Sequence, residues 1–184
     1  MRTQDVIKGM HGESIIRDKL LRLKEKYRFE FIYDMPVEKA KGGFQQCDFV
    51  VISTYGNFAL EVKNWVGTLQ CDGCSYCWPL IVQGRMYKAH NPILQNAGHI
   101  KWLRESYNIQ CENVVLFADT CRLIDKPVGV YNFSELEKLF TMSPECVSWE
   151  EVQRQFKILE KAKADNSLKA VAQRFVKYSN LRGK

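Results

Sequence analysis

Residues 47–53 constrain the fold more strongly than any other part of the sequence. After Asp48 this segment is apolar at every position up to Ile52, so a strand here would be apolar on both faces. A strand of that kind lies inside a sheet that helices cover on both sides. The segment therefore predicts a mixed α/β fold with a central strand at residues 47–53. Asp48 enters this strand at one end, where an unpaired carboxylate would cost several kcal/mol and so requires a partner or a cation.

The rest of the sequence predicts one sheet flanked by helices, without regularly alternating βαβ units. Helices are predicted for residues 10–27 and 91–107, and the chain is predicted to be helical from Phe133 onward. Strands are predicted for residues 28–33, 47–53, 58–63, 113–118 and 128–131, with shorter strand-like pieces within residues 67–87. Pro36 should end the first strand, and residues 39–43 should form a turn. Capping-box spacing occurs twice, at Ser134 with Glu137 and at Ser148 with Glu151.

Three carboxylates and a lysine are predicted to converge at one end of this sheet. In the strand at residues 58–63, Glu61 and Lys63 share one face roughly 7 Å apart, and the apolar residues take the other face. Glu13 lies three residues before Ile16, on the helical stripe that should face the sheet. Hard oxygen ligands suit Mg²⁺, which lowers the pKa of bound water and stabilises charge on a phosphate. Lys63 could hold the attacking water or the phosphate.

Each of these residues also has an ordinary interpretation. An acid-x-Lys pair on a strand is commonly a solvated ion pair. Asp48 could cap a turn, and Glu13 could be a first-turn acid that interacts with the helix dipole. Only the order and spacing of the three carboxylates and Lys63, taken together, favour a site.

Four motifs in this order resemble a known family. They are Gly9-Met10-His11-Gly12-Glu13, Gln46-Cys47-Asp48, Glu61-Val62-Lys63-Asn64-Trp65-Val66-Gly67 and Asn91-Pro92-Ile93-Leu94-Gln95. Asp48 followed by Glu61-Val62-Lys63 is similar to the D…(D/E)-x-K signature of the restriction-endonuclease-like PD-(D/E)XK superfamily. The full set resembles the NERD (nuclease-related) domain, and this resemblance covers roughly residues 9–120.

The resemblance implies a restriction-endonuclease-like core, with a mixed central sheet flanked by helices, that hydrolyses phosphodiester bonds with Mg²⁺ or Mn²⁺. It implies a catalytic set of Glu13, Asp48, Glu61 and Lys63, in which the three carboxylates bind the metal. Gln95 matches the helix motif of the family and would touch the site or the phosphate. The family's associations favour DNA over RNA as the substrate. A NERD-like nuclease domain is expected at residues 9–131, followed by a helical C-terminal extension at residues 132–184.

Length and charge set the broad class of protein. The chain has 184 residues, with 27 Lys and Arg against 21 Asp and Glu, which gives a net charge of +6. A basic protein suits a polyanionic partner, because Lys and Arg that neutralise phosphates release counterions. Residues 157–184 contain eight basic and two acidic residues and form either a solvated helical face or a surface that binds a nucleic-acid backbone. The sequence contains neither an apolar run of roughly 18 residues nor an apolar signal-peptide core, so we expect a cytoplasmic protein without a membrane span.

The seven cysteines include a C-x2-C-x2-C triplet at Cys71, Cys74 and Cys77, which resembles part of an iron–sulfur or zinc site. No His or second Cys pair completes a zinc pattern, and Asp72-Gly73 indicates a hairpin tip. We therefore expect reduced thiols, with no iron–sulfur cluster or zinc at this triplet. His99 shares a helical face with Gln95, and we expect a hydrogen-bonded packing residue there in preference to a site contact.

Three functions remain open from the sequence. The leading hypothesis is a Mg²⁺-dependent nuclease that acts on DNA. The alternative is a catalytically weak or inactive nucleic-acid-binding module of the same fold. The third is a regulatory module built on a metal cluster at the cysteine triplet.

Overall fold

Two β-sheets and four α-helices make up the part of the chain that the structure describes. This computed structural model describes residues 3–38, 43–142 and 144–182, and within these ranges the side chains from residue 10 to residue 169. The strands are β1 (Phe29–Glu38), β2 (Phe44–Ser53), β3 (Gly56–Lys63), β4 (Gly67–Gln70), β5 (Cys77–Val82), β6 (Arg85–His90), β7 (Glu112–Phe117), β8 (Cys121–Ile124) and β9 (Val130–Asn132). The helices are α1 (Thr3–Leu23), α2 (Pro92–Tyr107), α3 (Lys138–Thr141) and α4 (Trp149–Arg182), with a short 3₁₀ turn at Phe133–Glu135.

The main sheet has the strand order β1-β2-β3-β7-β9. β1, β2 and β3 are antiparallel neighbours, whereas β3, β7 and β9 run parallel to one another. β2 contains the segment 47–53 and pairs on both sides, and its Val50 and Val51 are fully buried although they point to opposite faces. The predicted central strand is therefore confirmed, and the fold is a mixed α/β, restriction-endonuclease-like core.

Each face of the main sheet is covered by its own apolar cluster. On one face α1 contributes Leu20, and the segment after β9 contributes Phe140. On the other face α2 contributes Leu103, and α4 contributes Leu159. Each fully buried side chain of this size contributes about 1.5–3 kcal/mol by leaving water. After β9 the described chain is mainly helical, with a 3₁₀ turn, α3 and α4 and a non-helical link between the two helices, and it packs against both faces of the sheet.

The first strand is longer than the sequence predicts. Pro36 was expected to end this strand, but it lies inside β1, which continues to Glu38. Proline cannot donate a backbone hydrogen bond, so in sheets it occurs mainly on edge strands or at bulges. β1 is the outer strand of the sheet and pairs with β2 alone. The expected strand end is therefore wrong, because an edge strand tolerates a proline that a central strand would not.

The capping of the C-terminal helical segment differs in part from the predicted pattern. The first capping box involves Asn132 and Glu135, and the Glu135 carboxylate accepts a hydrogen bond from the Asn132 N–H at 2.9 Å. The box predicted at Ser134 and Glu137 is therefore wrong by two residues. At the start of α4, the Oγ of Ser148 accepts from the backbone N–H three residues later at 3.3 Å, which is the predicted half of the second box.

The second sheet has the order β6-β5-β4-β8 and packs beside the main one, so the expectation of a single sheet is wrong. The strand-like pieces within residues 67–87 pair with one another and with β8, and not with the main sheet. β4 and β5 pair in antiparallel register, so the hairpin predicted around Asp72-Gly73 is confirmed. Trp78 of β5 is fully buried, with its ring 6.3 Å from that of Phe117 in the main sheet. This aromatic contact joins the two sheets.

Two sequence expectations concern the remaining segments. The predicted turn at residues 39–43 lies outside the described residues except for Gly43, which has a positive φ of 81°. Of the helices that the structure describes, none combines the length and the apolar character needed to cross a membrane.

Candidate active site

Glu61 lies at the centre of a group of polar side chains at the end of β3. Its Oε1 is 2.5 Å from the Lys63 Nζ and accepts a hydrogen bond from the Gln95 Nε2 at 2.7 Å. The Lys63 Nζ also donates to the Gln95 Oε1 at 3.2 Å, which closes a triangle. Glu61 and Lys63 share a face of β3 as predicted, and α2 places Gln95 above them near its first turn.

The second oxygen of Glu61 has a different environment. Within the described residues, Glu61 Oε2 is buried and has no hydrogen-bond partner. His99 Nδ1 is 3.8 Å away from it and 3.3 Å from Asn96 Oδ1. Burial, followed by the positive charge of Lys63, lowers the pKa of His99 to about 4, so the ring is neutral near pH 7. His99 is therefore a buried residue that contacts Asn96, as expected, but it also approaches Glu61, which the sequence analysis did not favour.

Asp48 lies beside Glu61 on the neighbouring strand. The β2–β3 pairing ends at Phe49 with Leu60, Asp48 and Glu61 are the next residues on the two strands, and the charge of Glu61 acts on Asp48. The backbone N–H of Val62 donates to Asp48 Oδ2 at 2.7 Å, which fixes the side chain against β3. Burial, followed by the negative charge of Glu61, raises the pKa of Asp48 to about 7.

Glu13 lies on α1, and its charge interacts with those of Asp48 and Glu61. The helix can approach β3 closely because residue 12 is glycine: a Cβ there would lie only 2.8 Å from the Cβ of Asn64. Burial, followed by the charges of Asp48 and Asp34, raises the pKa of Glu13 to about 7. Burial also raises the pKa of Glu61, and the charge of Glu13 adds to that rise. Each of the three predicted carboxylates therefore experiences the charge of another.

Asp34 is a fourth carboxylate that the sequence did not predict. In the β1–β2 register Tyr33 pairs with Phe49 and Met35 pairs with Cys47, so Asp34 lies opposite Asp48. Its φ is +52°, a left-handed conformation that Asp tolerates better than most residues, and its carboxylate accepts a hydrogen bond from the Gln46 side chain. Only the pairing register could have identified this residue, and the expected strand end at Pro36 concealed that register.

Both strands depart from regular pleating where these two aspartates face each other. Ile32 and Met35 pack in the same apolar cluster, and so do Cys47 and Val50. Residues three apart on a regular strand point to opposite faces, so the alternation shifts by one residue in each strand. Such irregularities occur next to active sites, where they redirect a side chain.

The structure brings together all five predicted site residues, which are Glu13, Asp48, Glu61, Lys63 and Gln95. In the described arrangement, no three His, Cys, Asp or Glu side chains are close enough to form a metal-binding group. Lys63 and Gln95 both contact one oxygen of Glu61, while the other oxygen has no hydrogen-bond partner in the described part of the chain. Asp48, Glu61 and Glu13 supply hard oxygen donors, and these are the residues that could hold a divalent cation.

The cysteine triplet lies around the β4–β5 hairpin. Cys71 is buried in the apolar cluster of the second sheet, Cys74 is exposed and Cys77 is half-buried. Burial raises the pKa of Cys71 to about 11, so it is a thiol at neutral pH. The Asp72 carboxylate accepts from the Cys74 N–H at 2.8 Å, which orders the turn between the strands.

This fold and this group of side chains define a restriction-endonuclease-like α/β domain with carboxylates and a lysine at one end of its sheet. A family model for the nuclease-related domain (NERD) matches residues 8–118, which is more than half of the chain. The chain therefore belongs to the NERD family, as the sequence motifs predict. It is also similar to an uncharacterized protein of Bacillus anthracis, with 27% identity over 150 residues that cover 79% of this chain and 69% of that protein. No solved structure matches the chain.

Proposed function

We propose that this protein is a metal-dependent nuclease that hydrolyses phosphodiester bonds of nucleic acid, with DNA as its substrate. The observation that carries the proposal is the environment of Glu61. One of its oxygens contacts a lysine and an amide, and the other is buried, with no hydrogen-bond partner among the described residues and with His99 Nδ1 3.8 Å away. A buried carboxylate oxygen without a partner is costly, and a cation would satisfy it.

The carboxylates would hold the metal. Glu61, Asp48 and Glu13 supply hard anionic oxygens, and their mutual repulsion favours a divalent cation between them. A bound Mg²⁺ or Mn²⁺ lowers the pKa of a water molecule and stabilises charge on the phosphate. The Val62 N–H keeps Asp48 oriented toward Glu61 in the absence of the ion.

Lys63 and Gln95 would position the reacting groups. Lys63 is mostly buried, with 18% of its side chain exposed, so its charge acts where little water screens it. Its ammonium can orient the attacking water or neutralise a phosphate oxygen. Gln95 is exposed at the start of α2 and hydrogen-bonds both Lys63 and Glu61. It would therefore maintain the geometry of this pair while presenting its amide to the substrate.

A nucleic-acid-binding module without turnover is the second candidate. One observation favours it: in the described arrangement Glu61 pairs with Lys63, and no three ligands are grouped for a metal. In that case the ion pair would stabilise the fold and would not take part in catalysis.

Cleavage of supercoiled plasmid with Mg²⁺, with Mn²⁺ and with EDTA distinguishes the two candidates. Wild type should cut only with metal, whereas Glu61→Gln and Lys63→Ala should lose at least a hundredfold in rate and bind DNA within a few-fold of wild type. Glu25→Gln and Lys88→Ala change exposed residues of the same types and should cut normally. If wild type does not cut with either metal, the binding module is the better description. If both site variants cut normally, the site assignment is wrong.

A further inference from the structure

An exposed tyrosine lies beside the carboxylates and belongs to neither apolar cluster. Tyr33 is on the edge strand β1, immediately before Asp34, and 41% of it is exposed to solvent. Its neighbours Phe31 and Ile32 pack against the clusters of the sheet. The ring of Tyr33 is therefore held on a rigid strand at the surface.

Tyr33 forms a wall shared by two clefts. One cleft lies between α1 and β1 and is lined by Met10, Glu13, Ser14, Arg17, Tyr33, Asp34 and Phe49. The other lies between β1 and α4 and is lined in part by Phe156, Lys163 and Ser167. Because the first cleft contains Glu13 and Asp34, a molecule that contacts Tyr33 from that side also reaches the candidate active site.

Two cations approach the ring, one from each cleft. The Lys163 Nζ is 4.3 Å from the ring centroid and donates a hydrogen bond to the Tyr33 carbonyl oxygen. The Arg17 Cζ is farther away, at 5.8 Å, and Arg17 is exposed. Among the described residues, neither cation has a carboxylate within ion-pair distance. Lys163 is thus held against the ring and the backbone of Tyr33, whereas Arg17 is exposed, lies farther from the ring and can be displaced from it.

We propose that Tyr33, Arg17 and Lys163 bind an unpaired nucleotide that flanks the scissile phosphate. The base takes the place of the Arg17 guanidinium over the Tyr33 ring, and the displaced Arg17 and Lys163 contact the adjoining phosphates. A base inside a duplex is covered on both faces by its neighbours, so it can stack on a protein ring only after it has left the helical stack. This inference rests on the proposed function and makes it narrower: the preferred substrate has a single-stranded or frayed region next to the cut.

Binding in EDTA tests the inference without any cleavage. Fluorescence anisotropy would compare a labelled single-stranded 20-nucleotide DNA with the corresponding blunt duplex. We expect wild type to prefer the single strand, and Tyr33→Ala and Tyr33→Leu to lose about tenfold in affinity for it. Tyr33→Phe retains a ring and should bind like wild type, and duplex affinity should change less than twofold in all three variants. The logarithm of the affinity for the single strand falls linearly with the logarithm of the salt concentration, and Arg17→Gln should make this slope shallower by about one.

Tyr87→Ala and Arg85→Gln are the matched controls, because both residues are exposed on β6 in the second sheet. They should bind both DNAs like wild type. If Tyr33→Ala does not fold, Tyr33→Leu and Arg17→Gln give the answer. Equal affinity of wild type and the Tyr33 variants for the single strand would overturn the proposal that a base stacks on Tyr33. Equal losses of affinity for the single strand and the duplex would overturn it as well, and both results would leave the nuclease proposal intact. Wild type that binds neither DNA would overturn both.

Discussion

At the scale of single residues, opposing effects act on the ionisation of the carboxylates in the site. Asp48 accepts a hydrogen bond from a backbone N–H, which favours its ionised form, yet burial and the adjacent Glu61 outweigh that bond and raise its pKa to about 7. Glu13 has the same raised pKa for the same first cause. Without a cation, ionised carboxylates at this position therefore reduce the stability of the fold.

The pH dependence of stability should reveal this repulsion. An acid whose pKa is raised in the folded state binds more protons when folded than when unfolded, so its ionisation lowers the free energy of unfolding as the pH rises. For Asp48 this loss begins near its ordinary pKa of 3.8 and is complete above about pH 7. In EDTA, Asp48→Asn should therefore gain stability relative to wild type between pH 5 and pH 8. We expect a gain of roughly 1–2 kcal/mol, since one pKa unit corresponds to about 1.4 kcal/mol.

Urea denaturation of both proteins at several pH values measures this difference. Comparing the two proteins cancels the opposing contribution of His99, whose lowered pKa reduces stability as the pH falls below 6.5. Glu25→Gln alters an exposed carboxylate and should follow wild type at every pH. A constant difference between Asp48→Asn and wild type would show that Asp48 ionises as freely in the folded protein as in the unfolded chain.

At the scale of elements, a glycine in α1 and a glycine in α2 show how closely each helix packs at the site. In α1, a Cβ at Gly12 would lie 2.8 Å from the Asn64 Cβ, so the helix or the end of β3 would have to move. In α2, a Cβ at Gly98 would only meet the end of the Gln45 side chain at 3.8 Å. The close approach of α1 is what brings Glu13 to Asp48.

Alanine at these two positions should therefore have opposite effects. Gly12→Ala should lose about 1–2 kcal/mol of stability through overpacking, and it should slow cleavage at least tenfold because Glu13 is displaced. Gly98→Ala should be neutral or gain up to about 1 kcal/mol from helix propensity, with normal cleavage. Thermal melts and plasmid cleavage measure both effects. If Gly12→Ala retains full stability and activity, close packing of α1 does not position the site.

At the scale of the whole molecule, α4 packs the C-terminal segment against the main sheet. Its Val152 and Leu159 are fully buried against the β1 and β2 side of the sheet, and Asn166 donates to the Pro36 carbonyl at 3.2 Å. Lys163 contacts Tyr33, so part of the basic segment has a structural role as well as a charge. The side chains of Arg174, Lys177 and Arg182 lie outside those that the structure describes.

Removing the chain after residue 143 should therefore unfold the domain, because it uncovers one face of the main sheet. The exposed lysines of α4 offer a better test of whether this segment binds the nucleic-acid backbone. Changing Lys157, Lys161 and Lys169 to Gln should weaken DNA binding in 50 mM salt and reduce the salt slope by up to about three. Anisotropy across a salt series measures the slope, and circular dichroism of the truncated chain measures its folding. An unchanged slope in the triple variant would mean that these lysines form a solvated face only.

Sequence patterns predicted the central strand and the five clustered residues because those features depend on local alternation and motif order. Residues 47–53 are apolar on both faces wherever the strand lies, and Glu61 with Lys63 must share a face of any strand. Strand pairing across the sheet was not predictable in this way. Asp34 faces Asp48 only because of the β1–β2 register, and Pro36 is tolerated only because β1 is an edge strand. The contact of Tyr33 with Lys163 and the packing of α4 on the sheet depend on long-range contacts of the same kind.

A metal-dependent shift in thermal stability tests most directly whether Glu13, Asp48 and Glu61 form one metal site. Melts of wild type and Asp48→Asn would be recorded in EDTA and in several millimolar Mn²⁺. An ion that binds only the folded protein stabilises it by about 2.7 kcal/mol at a hundredfold excess over its dissociation constant. Wild type should therefore melt several degrees higher with Mn²⁺, and Asp48→Asn should show a much smaller shift from an equal or higher starting point. No shift in wild type, or a full shift in Asp48→Asn, would contradict a shared metal site.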